Sequence, residues 1–214
     1  RFDKKNVIID LGKTEVILPT GEQITSEEYV QGNRIKVYIL EVKKTTKGPQ
    51  ITVSRSHPGL VKRLFELEVP EIYEGIVEIK GIAREAGSRT KIAVYSKNEN
   101  IDPVGACVGP KGSRVQSIVD ELNGEKIDII KWDKDVAEFI SNALSPAKVL
   151  NVIVEENTKT ARVTVSESQL SLAIGKEGQN ARLAARLTGW KIDIKSKDSN
   201  FNANDDLRGD ESET

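Results

Sequence analysis

Two short stretches of sequence, Val108-Gly109-Pro110-Lys111-Gly112-Ser113-Arg114 and Ile174-Gly175-Lys176-Glu177-Gly178-Gln179-Asn180, decide the fold. Each places a Gly-x-x-Gly motif between an apolar run and a segment of helical periodicity, 66 residues apart. Downstream of them, Lys126-Ile127-Asp128-Ile129 recurs as Lys191-Ile192-Asp193-Ile194 at an offset of 65 residues. A repeat of this length indicates a duplicated supersecondary unit. The pattern predicts helix, Gly-x-x-Gly, helix, turn and strand in each copy.

Each Gly-x-x-Gly motif is suited to hold a phosphate. The glycines allow a tight turn and close approach of another backbone, and the following helix presents unpaired N–H groups and the positive end of its dipole. We call Gly109–Gly112 the first loop and Gly175–Gly178 the second loop; each has basic neighbours. The predicted nucleic-acid-binding residues are Gly109, Pro110, Lys111, Gly112, Ser113, Arg114, Gly175, Lys176, Glu177, Gly178, Gln179, Asn180 and Arg182.

Two other interpretations of the motif were weighed. The glycines could merely break two helices in a duplicated structural domain, but a helical break alone does not require flanking cations. A nucleotide-binding P-loop is excluded, because neither copy has Lys followed by Ser or Thr after its last glycine. The duplicated context and the cations favour phosphate binding.

These residues resemble a known family. Gly-x-x-Gly between two helices is typical of KH domains, in which the loop clamps the backbone of about four single-stranded nucleotides. Two such units, "VGPKGSRVQSIVDELNGEKIDI" and "SLAIGKEGQNARLAARLTGWKIDI", are similar to the tandem KH domains of the bacterial NusA transcription termination/antitermination factors. The resemblance implies a bacterial-type (type II) α-β-β-α-α-β order in each domain.

The stretch before the repeat reads as short strands. Predicted strands cover 7–11, 15–18, 34–42 and 50–54, with Ile35, Val37 and Ile39 pointing inward and a turn at Lys47-Gly48-Pro49. Four strands with Gly-rich turns suggest a small barrel. "ILPTGEQ" and "KGPQITVSR" resemble the OB-fold (S1-like) RNA-binding domain of the same family. Since an OB barrel has five strands, we expect one to lie upstream of Arg1.

The predicted architecture is therefore multidomain: an all-β OB-type barrel, which we expect to be truncated, followed by two α+β KH domains. The domain boundaries are 1–56 for the OB-type domain, 57–133 and 134–197 for the KH domains, and 198–214 for an acidic disordered tail. Because the chain begins with Arg1 and contains no Met, we expect it to be a fragment.

Charge and composition limit the possible functions. The chain carries 32 Lys and Arg against 33 Asp and Glu. Six of the acids and one Arg lie in residues 198–214, so the remainder has 31 cations against 27 carboxylates, a net charge of +4. RNA affinity should therefore come from local cations. No apolar window is long enough to span a membrane, and one Cys cannot form an internal disulfide, so we expect a cytoplasmic protein.

The remaining candidate residues favour binding over catalysis. His57 is the only histidine and precedes Pro58 at a helix start, which favours a capping or surface role. Cys107 aligns with Ala173, which favours buried packing over a reactive thiol. Arg84 and Arg89 lie in a predicted loop, 83–89, where they could contact phosphates or be solvated. No catalytic residue, metal site or cofactor is predicted.

The resemblance implies an RNA-binding portion of a transcription elongation factor. It would bind nascent single-stranded RNA and modulate pausing, intrinsic termination and antitermination, with RNA polymerase contacted mainly through a domain absent from this chain and with antitermination factors as possible partners. One alternative is the RNA-binding part of a processing enzyme such as polynucleotide phosphorylase, which has one KH domain followed by an OB domain. Another alternative is a ribosome-associated KH protein, which would leave the OB-like start unexplained.

Overall fold

The computed structural model describes residues 1–197 and contains three sheets, one of five strands and two of three. The acidic tail predicted for 198–214 lies outside the described residues. Within 1–197, no helix is both long and apolar enough to cross a membrane.

The N-terminal sheet is open. Its strands occur in the order β1-β2-β3-β5-β4, with β1 and β4 at the edges, and all neighbours are antiparallel except β3 and β5. The predicted closed barrel is therefore not present in the described residues, although the sheet has five strands where four were predicted. Its core consists of Val7, Val16, Leu18 and Val53. The strands are β1 (Phe2–Asp3), β2 (Asn6–Asp10), β3 (Glu15–Leu18), β4 (Tyr38–Thr45) and β5 (Gly48–Ser54).

The third predicted strand was placed too early. It was expected over 34–42, but β4 begins at Tyr38, and the predicted turn residues Gly48 and Pro49 already belong to β5. Ile39 was predicted to point inward and is 54% exposed. The alternation of the two faces is interrupted before Ile39, at the start of β4, where the adjacent Val37 and Tyr38 are both half-buried. Tyr38 was predicted to point outward, yet its ring stacks on His57 with centroids 4.8 Å apart.

The first repeat unit, residues 58–131, begins where the sequence predicts a helix. Pro58 occupies the first helical position, and His57 caps the helix by accepting a hydrogen bond from the Gly59 N–H at Nδ1, 2.9 Å away. The capping role predicted for His57 is therefore present. Its elements are α1 (Pro58–Glu68), α2 (Pro70–Tyr73), β6 (Val77–Glu85), β7 (Arg89–Ser96), α3 (Pro103–Val108), α4 (Ser113–Glu121) and β8 (Lys126–Lys131).

The second repeat unit, residues 136–196, has the same plan. In each unit the middle strand pairs antiparallel with the first strand and parallel with the last. The registers also correspond. The Asp of the repeated Lys-Ile-Asp-Ile strand lies opposite a basic residue of the middle strand in both units: Asp128 opposite Lys91, and Asp193 opposite Arg162. Its elements are α5 (Val136–Ala143), β9 (Val149–Glu155), β10 (Thr160–Val165), α6 (Glu167–Ile174), α7 (Gln179–Thr188) and β11 (Lys191–Ser196).

The two repeat units pack against each other through unlike surfaces. Helices α5 and α7 of the second unit contact strands β6, β7 and β8 of the first. Gly81 lies at this contact, because a Cβ built there would be in van der Waals contact with Leu187 Cδ1, at 3.5 Å. Lys91 is fully buried, with Nζ 2.9 Å from Asp128 Oδ2 and 2.7 Å from the Ser145 carbonyl. Desolvation lowers the pKa of Lys91, although the nearby Asp128 carboxylate opposes that shift.

A buried arginine joins the N-terminal sheet to the first repeat unit. The Arg55 side chain is fully buried and binds both carboxylate oxygens of Glu27, with Nε 3.0 Å from Oε2. It also donates to the Lys36 carbonyl at 2.7 Å and to the Glu121 carbonyl, at the end of α4, at 2.9 Å. A buried charge is tolerated only with such partners, so this contact fixes one module on the other.

Candidate nucleic-acid interface

The two loops have the same backbone conformation. Gly109 has φ 75° and ψ 173°, and Gly175 has φ 79° and ψ 169°. This combination is almost confined to glycine. Gly112 and Gly178 both adopt the left-handed helical conformation immediately before α4 and α7. The duplicated sequence therefore builds the same turn twice, and each turn ends at the start of a helix.

Each loop is supported from beneath by the residue five positions after its first glycine. A Cβ at Gly109 would lie 2.5 Å from Arg114 Cγ, and a Cβ at Gly175 would lie 2.7 Å from the Asn180 backbone nitrogen. Arg114 donates to the Ala106 carbonyl at 2.7 Å, and Asn180 donates to the Ala173 carbonyl at 3.0 Å. Both residues thus bind the end of the helix that precedes their loop.

The tips of the loops are accessible. Pro110 and Lys111 are exposed in the first loop, and Lys176 and Glu177 are exposed in the second. Lys111 and Glu177 have φ of 52° and 54°, which turns the backbone toward the helix that follows. The first tip therefore offers one cation, whereas the second offers a cation beside a carboxylate.

The starts of the two helices can accept an anion. Their N-cap residues are Gly112 and Gly178, which have no side chain to accept hydrogen bonds from the first-turn N–H groups. The exposed Ser113 begins α4, and the partly buried Gln179 begins α7. The N–H of each first helical residue donates to a carbonyl of its own loop, Ser113 to Pro110 and Gln179 to Lys176, so each helix start offers an anion chiefly its positive dipole end.

Asn180 is placed differently from the prediction. Asn180 is 1% exposed, and its Nδ2 donates to the carbonyls of Leu144 and Ala173, both 3.0 Å away. Its Oδ1 has no hydrogen-bond partner among the described residues. The Asn180 amide is therefore used inside the domain to bind two backbone carbonyls, and its contact with a nucleic acid stays a prediction.

Arg114 is also turned away from the loop tip. Its Nη1 lies 2.9 Å from a carboxylate oxygen of Glu71 and 2.7 Å from the Ala106 carbonyl, and the side chain is about one quarter exposed. Its charge is therefore partly neutralised within the first repeat unit. Lys111 remains the exposed cation of the first loop.

Arg182 and Gln179 contact the first repeat unit. The Arg182 guanidinium binds both carboxylate oxygens of Glu85, with Nε 2.6 Å from Oε1, and donates from Nη1 to the Glu177 carbonyl in the second loop. Gln179 donates to Glu85 at 2.9 Å and to Ser88 Oγ at 2.7 Å. These partners lower the pKa of Glu85 to about 2, chiefly through the hydrogen bond from Arg182.

Arg84 and Arg89 have partners that the sequence did not indicate. Arg84 is buried and binds both carboxylate oxygens of Glu125 at 3.1 and 3.2 Å. Arg89 binds both oxygens of Asp128 at 2.7 and 2.9 Å. Neither arginine is simply solvated, and Arg84 is too buried to reach a ligand. Glu71, Glu85 and Glu125 were missed because each is distant in sequence from the cation it binds and no local pattern marks it.

Cys107 packs in a hydrophobic core, and His57 caps a helix. Cys107 is fully buried in the core of the first repeat unit, and burial raises the pKa of its thiol to about 12, as expected for a packing residue. Among the described residues, no group of three or more His, Cys, Asp or Glu side chains could hold a metal ion.

Comparison with known proteins identifies both repeat units. Residues 55–132 match the model of the NusA-like first KH domain, and residues 136–202 match that of the NusA-like second KH domain. Together these matches account for most of the chain and follow each other in the order of their names.

Curated relatives extend the similarity to the N-terminal sheet. The chain is 64% identical to the transcription termination/antitermination proteins NusA of Halalkalibacterium halodurans and Bacillus subtilis, over 92% of its own length and 52% and 53% of theirs. It is 55% identical to the NusA of Thermus thermophilus over 90% of its length and 50% of that protein. The chain thus spans about half the length of these relatives. These identities and the two consecutive KH matches show that the chain belongs to the NusA family.

Proposed function

We propose that the chain is a single-stranded RNA-binding module with one phosphate-binding loop in each KH domain. The observation that carries this proposal is the pair of equivalent loops, each of which ends at a helix start without a side-chain cap. KH domains use this loop to clamp the backbone of single-stranded nucleic acid. The proposed contacts are the loop residues with Lys111, Ser113, Lys176, Gln179 and Arg182, whereas Arg114 and Asn180 position their loops.

The packing of the KH domains supports one continuous binding surface. Gln179, the first residue of α7, donates to Ser88 Oγ, and the Ser88 carbonyl accepts a hydrogen bond from the Lys126 N–H at the start of β8. The second loop therefore lies beside the start of the last strand of the first domain. An RNA that follows β8 away from the first loop would reach the second loop without crossing a flexible linker.

The proposed domain organisation keeps the boundaries 1–56, 57–133, 134–197 and 198–214. We assign the N-terminal sheet to an OB-type (S1-like) domain and both KH domains to the bacterial type II class. Two strands, two helices and a strand follow α1 and the short α2 in the first repeat unit and α5 in the second, and this succession supports this class. A contact between RNA and the OB-type domain is not part of the proposal, because Tyr38 and Tyr29 are engaged with His57 and the Ile24 backbone.

The role proposed for this RNA binding is in transcription. The curated relatives are named transcription termination/antitermination proteins, and the chain spans about half of their length. We propose that it binds nascent RNA in the cytoplasm and modulates pausing, termination and antitermination, with RNA polymerase and antitermination factors as partners of the whole protein. The proposed function includes no catalysis, because His57 caps a helix and Cys107 is a buried thiol with a raised pKa.

Paired aspartates at the two middle positions of a loop test the proposal. Pro110→Asp with Lys111→Asp, and separately Lys176→Asp with Glu177→Asp, place carboxylates where phosphate would bind. Asp tolerates the left-handed conformation of Lys111 and Glu177, so both variants should fold. We expect each pair to weaken binding of single-stranded RNA, and circular dichroism and thermal unfolding to remain as in the parent. RNA affinity that neither pair changes would refute binding at the loops.

A further inference from the structure

A carboxylate of the first KH domain binds the basic side chains beside the second loop and offsets part of their charge. Glu85 is the last residue of β6, and three side chains from one face of α7 converge on it. Arg182 approaches with Nε at 2.6 Å and Nη2 at 3.1 Å, Arg186 with Nη2 at 3.0 Å, and Gln179 with Nε2 at 2.9 Å. One carboxylate therefore serves two cations and an amide of the neighbouring domain.

Arg182 connects this carboxylate to the second loop. While Nε and Nη2 bind Glu85, Nη1 donates to the Glu177 carbonyl at 3.0 Å. The guanidinium thus touches the loop backbone, and Glu85, which it shares with Arg186, offsets part of its charge. The first loop has a different arrangement, because Arg114 pairs with Glu71 of its own domain and lies beneath the loop.

We propose that Glu85 sets the RNA affinity of the second loop by competing with a phosphate for the Arg182 guanidinium. This inference rests on the proposed RNA-binding function. Competition is feasible because the pair is accessible: the side chains of Arg182 and Glu85 are 46% and 21% exposed. An exposed ion pair contributes little net free energy, and a guanidinium binds phosphate with the same two-pronged geometry that it uses for a carboxylate.

The domain interface can survive this exchange of partners. Neither the hydrogen bond from Lys91 to the Ser145 carbonyl nor the packing of Leu187 near Gly81 involves Glu85. The Gln179 contact with Ser88 also does not depend on Glu85. RNA at the second loop would therefore change an electrostatic contact between the KH domains without separating them.

The first test is Glu85→Gln, which keeps the size of the side chain and removes its charge. We expect tighter binding of a single-stranded RNA of about a dozen nucleotides, long enough for two loops that each clamp about four. The gain should be about two- to fivefold, the range covered by one exposed ion pair. The slope of log affinity against log salt should steepen by about 0.7, the value for one additional phosphate contact on a single strand.

Glu155→Gln is the matched control. Glu155 lies opposite Thr160 in the second KH domain as Glu85 lies opposite Arg89 in the first, and its carboxylate accepts a hydrogen bond from Thr158 of its own turn. This variant reports the general effect of removing one negative charge. In an Arg182→Gln background, Glu85→Gln should retain only the small effect of Glu155→Gln plus any contribution from Arg186.

A second measurement uses the unaltered protein, so it does not depend on whether a variant folds. The carboxyl carbon of Glu85, followed by NMR, should titrate near its depressed pKa of about 2 in the free protein, and RNA should raise that pKa as Arg182 turns to phosphate. A Glu85→Gln affinity equal to or weaker than that of Glu155→Gln, or no rise in pKa with RNA bound, would overturn the competition while RNA binding itself stands. RNA binding insensitive to both aspartate pairs would instead overturn the proposed function.

Discussion

At the scale of single residues, the first and the last glycine of the loops are not equivalent. Gly175, the first glycine of the second loop, has a conformation nearly confined to glycine, and a Cβ there would lie 2.7 Å from the Asn180 backbone nitrogen. Gly112, the last glycine of the first loop, is left-handed, and a Cβ there would have nothing within 4 Å. We expect Gly175→Ala to lower the free energy of unfolding by more than about 2 kcal/mol and Gly112→Ala by only about 1 kcal/mol. Urea unfolding of both variants measures the difference, and equal losses would contradict it.

Asn180 allows a second test at the residue scale. Replacing it with Ala leaves the Leu144 and Ala173 carbonyls without the amide that binds them, so we expect a loss of about 1–3 kcal/mol in the free energy of unfolding. The salt dependence of RNA affinity should stay unchanged, because the side chain does not reach the surface. A shallower salt slope in a fully folded Asn180→Ala protein would restore Asn180 as a contact residue.

At the scale of elements, the two loops should contribute unequally to RNA binding. Lys111 is the exposed cation of the first loop, whereas Lys176 stands beside Glu177, whose carboxylate offsets part of its attraction for phosphate. We expect Lys111→Ala to reduce the salt slope by about 0.7, or one phosphate contact, and Lys176→Ala to reduce it by less. Binding isotherms at several salt concentrations make the comparison, and equal reductions would argue against the role of Glu177.

The elements also show what local sequence could predict. The repeated Lys-Ile-Asp-Ile strands and the helix starts after both loops lie where the pattern indicates, because hydrophobic periodicity and glycine act locally. No local pattern indicates the register shift between Ile39 and Glu41 in β4 or the stacking between Tyr38 and His57. Similarly, no local rule could connect Glu85 to Arg182 across 97 residues, since only the packing of the two domains brings them together.

At the scale of the whole molecule, the two KH domains pack through different surfaces: helices of the second domain lie against the sheet of the first. The first KH sheet is covered by α5 and α7, and Gly81 lies at this contact. The register-equivalent residue in the second KH sheet is Asn151, which is exposed on a face that carries Arg162 and Asp193. The docking face of the first sheet thus has an exposed polar counterpart in the second sheet, where the stack ends.

This stacking predicts that the two KH domains move as one body. Gly81→Phe would force α7 away from the first sheet, whereas Asn151→Phe at the equivalent exposed position would not. We expect X-ray scattering to show a larger radius of gyration, and amide exchange in β6 and α7 to accelerate, for Gly81→Phe alone. Independent tumbling of the two domains in the unaltered protein would refute the continuous RNA surface.

Residues 198–214 should weaken RNA binding through charge. They contain six carboxylates and one Arg, and their removal changes the net charge from −1 to +4. Deletion should therefore tighten RNA binding about twofold at low salt, and the gain should fade at physiological salt, where charges are screened beyond about 8 Å. Replacing the six acids with Asn and Gln is the matched control, because it removes charge and keeps length. Weaker binding after deletion, with no loss after neutralisation, would show instead that these residues contact RNA directly.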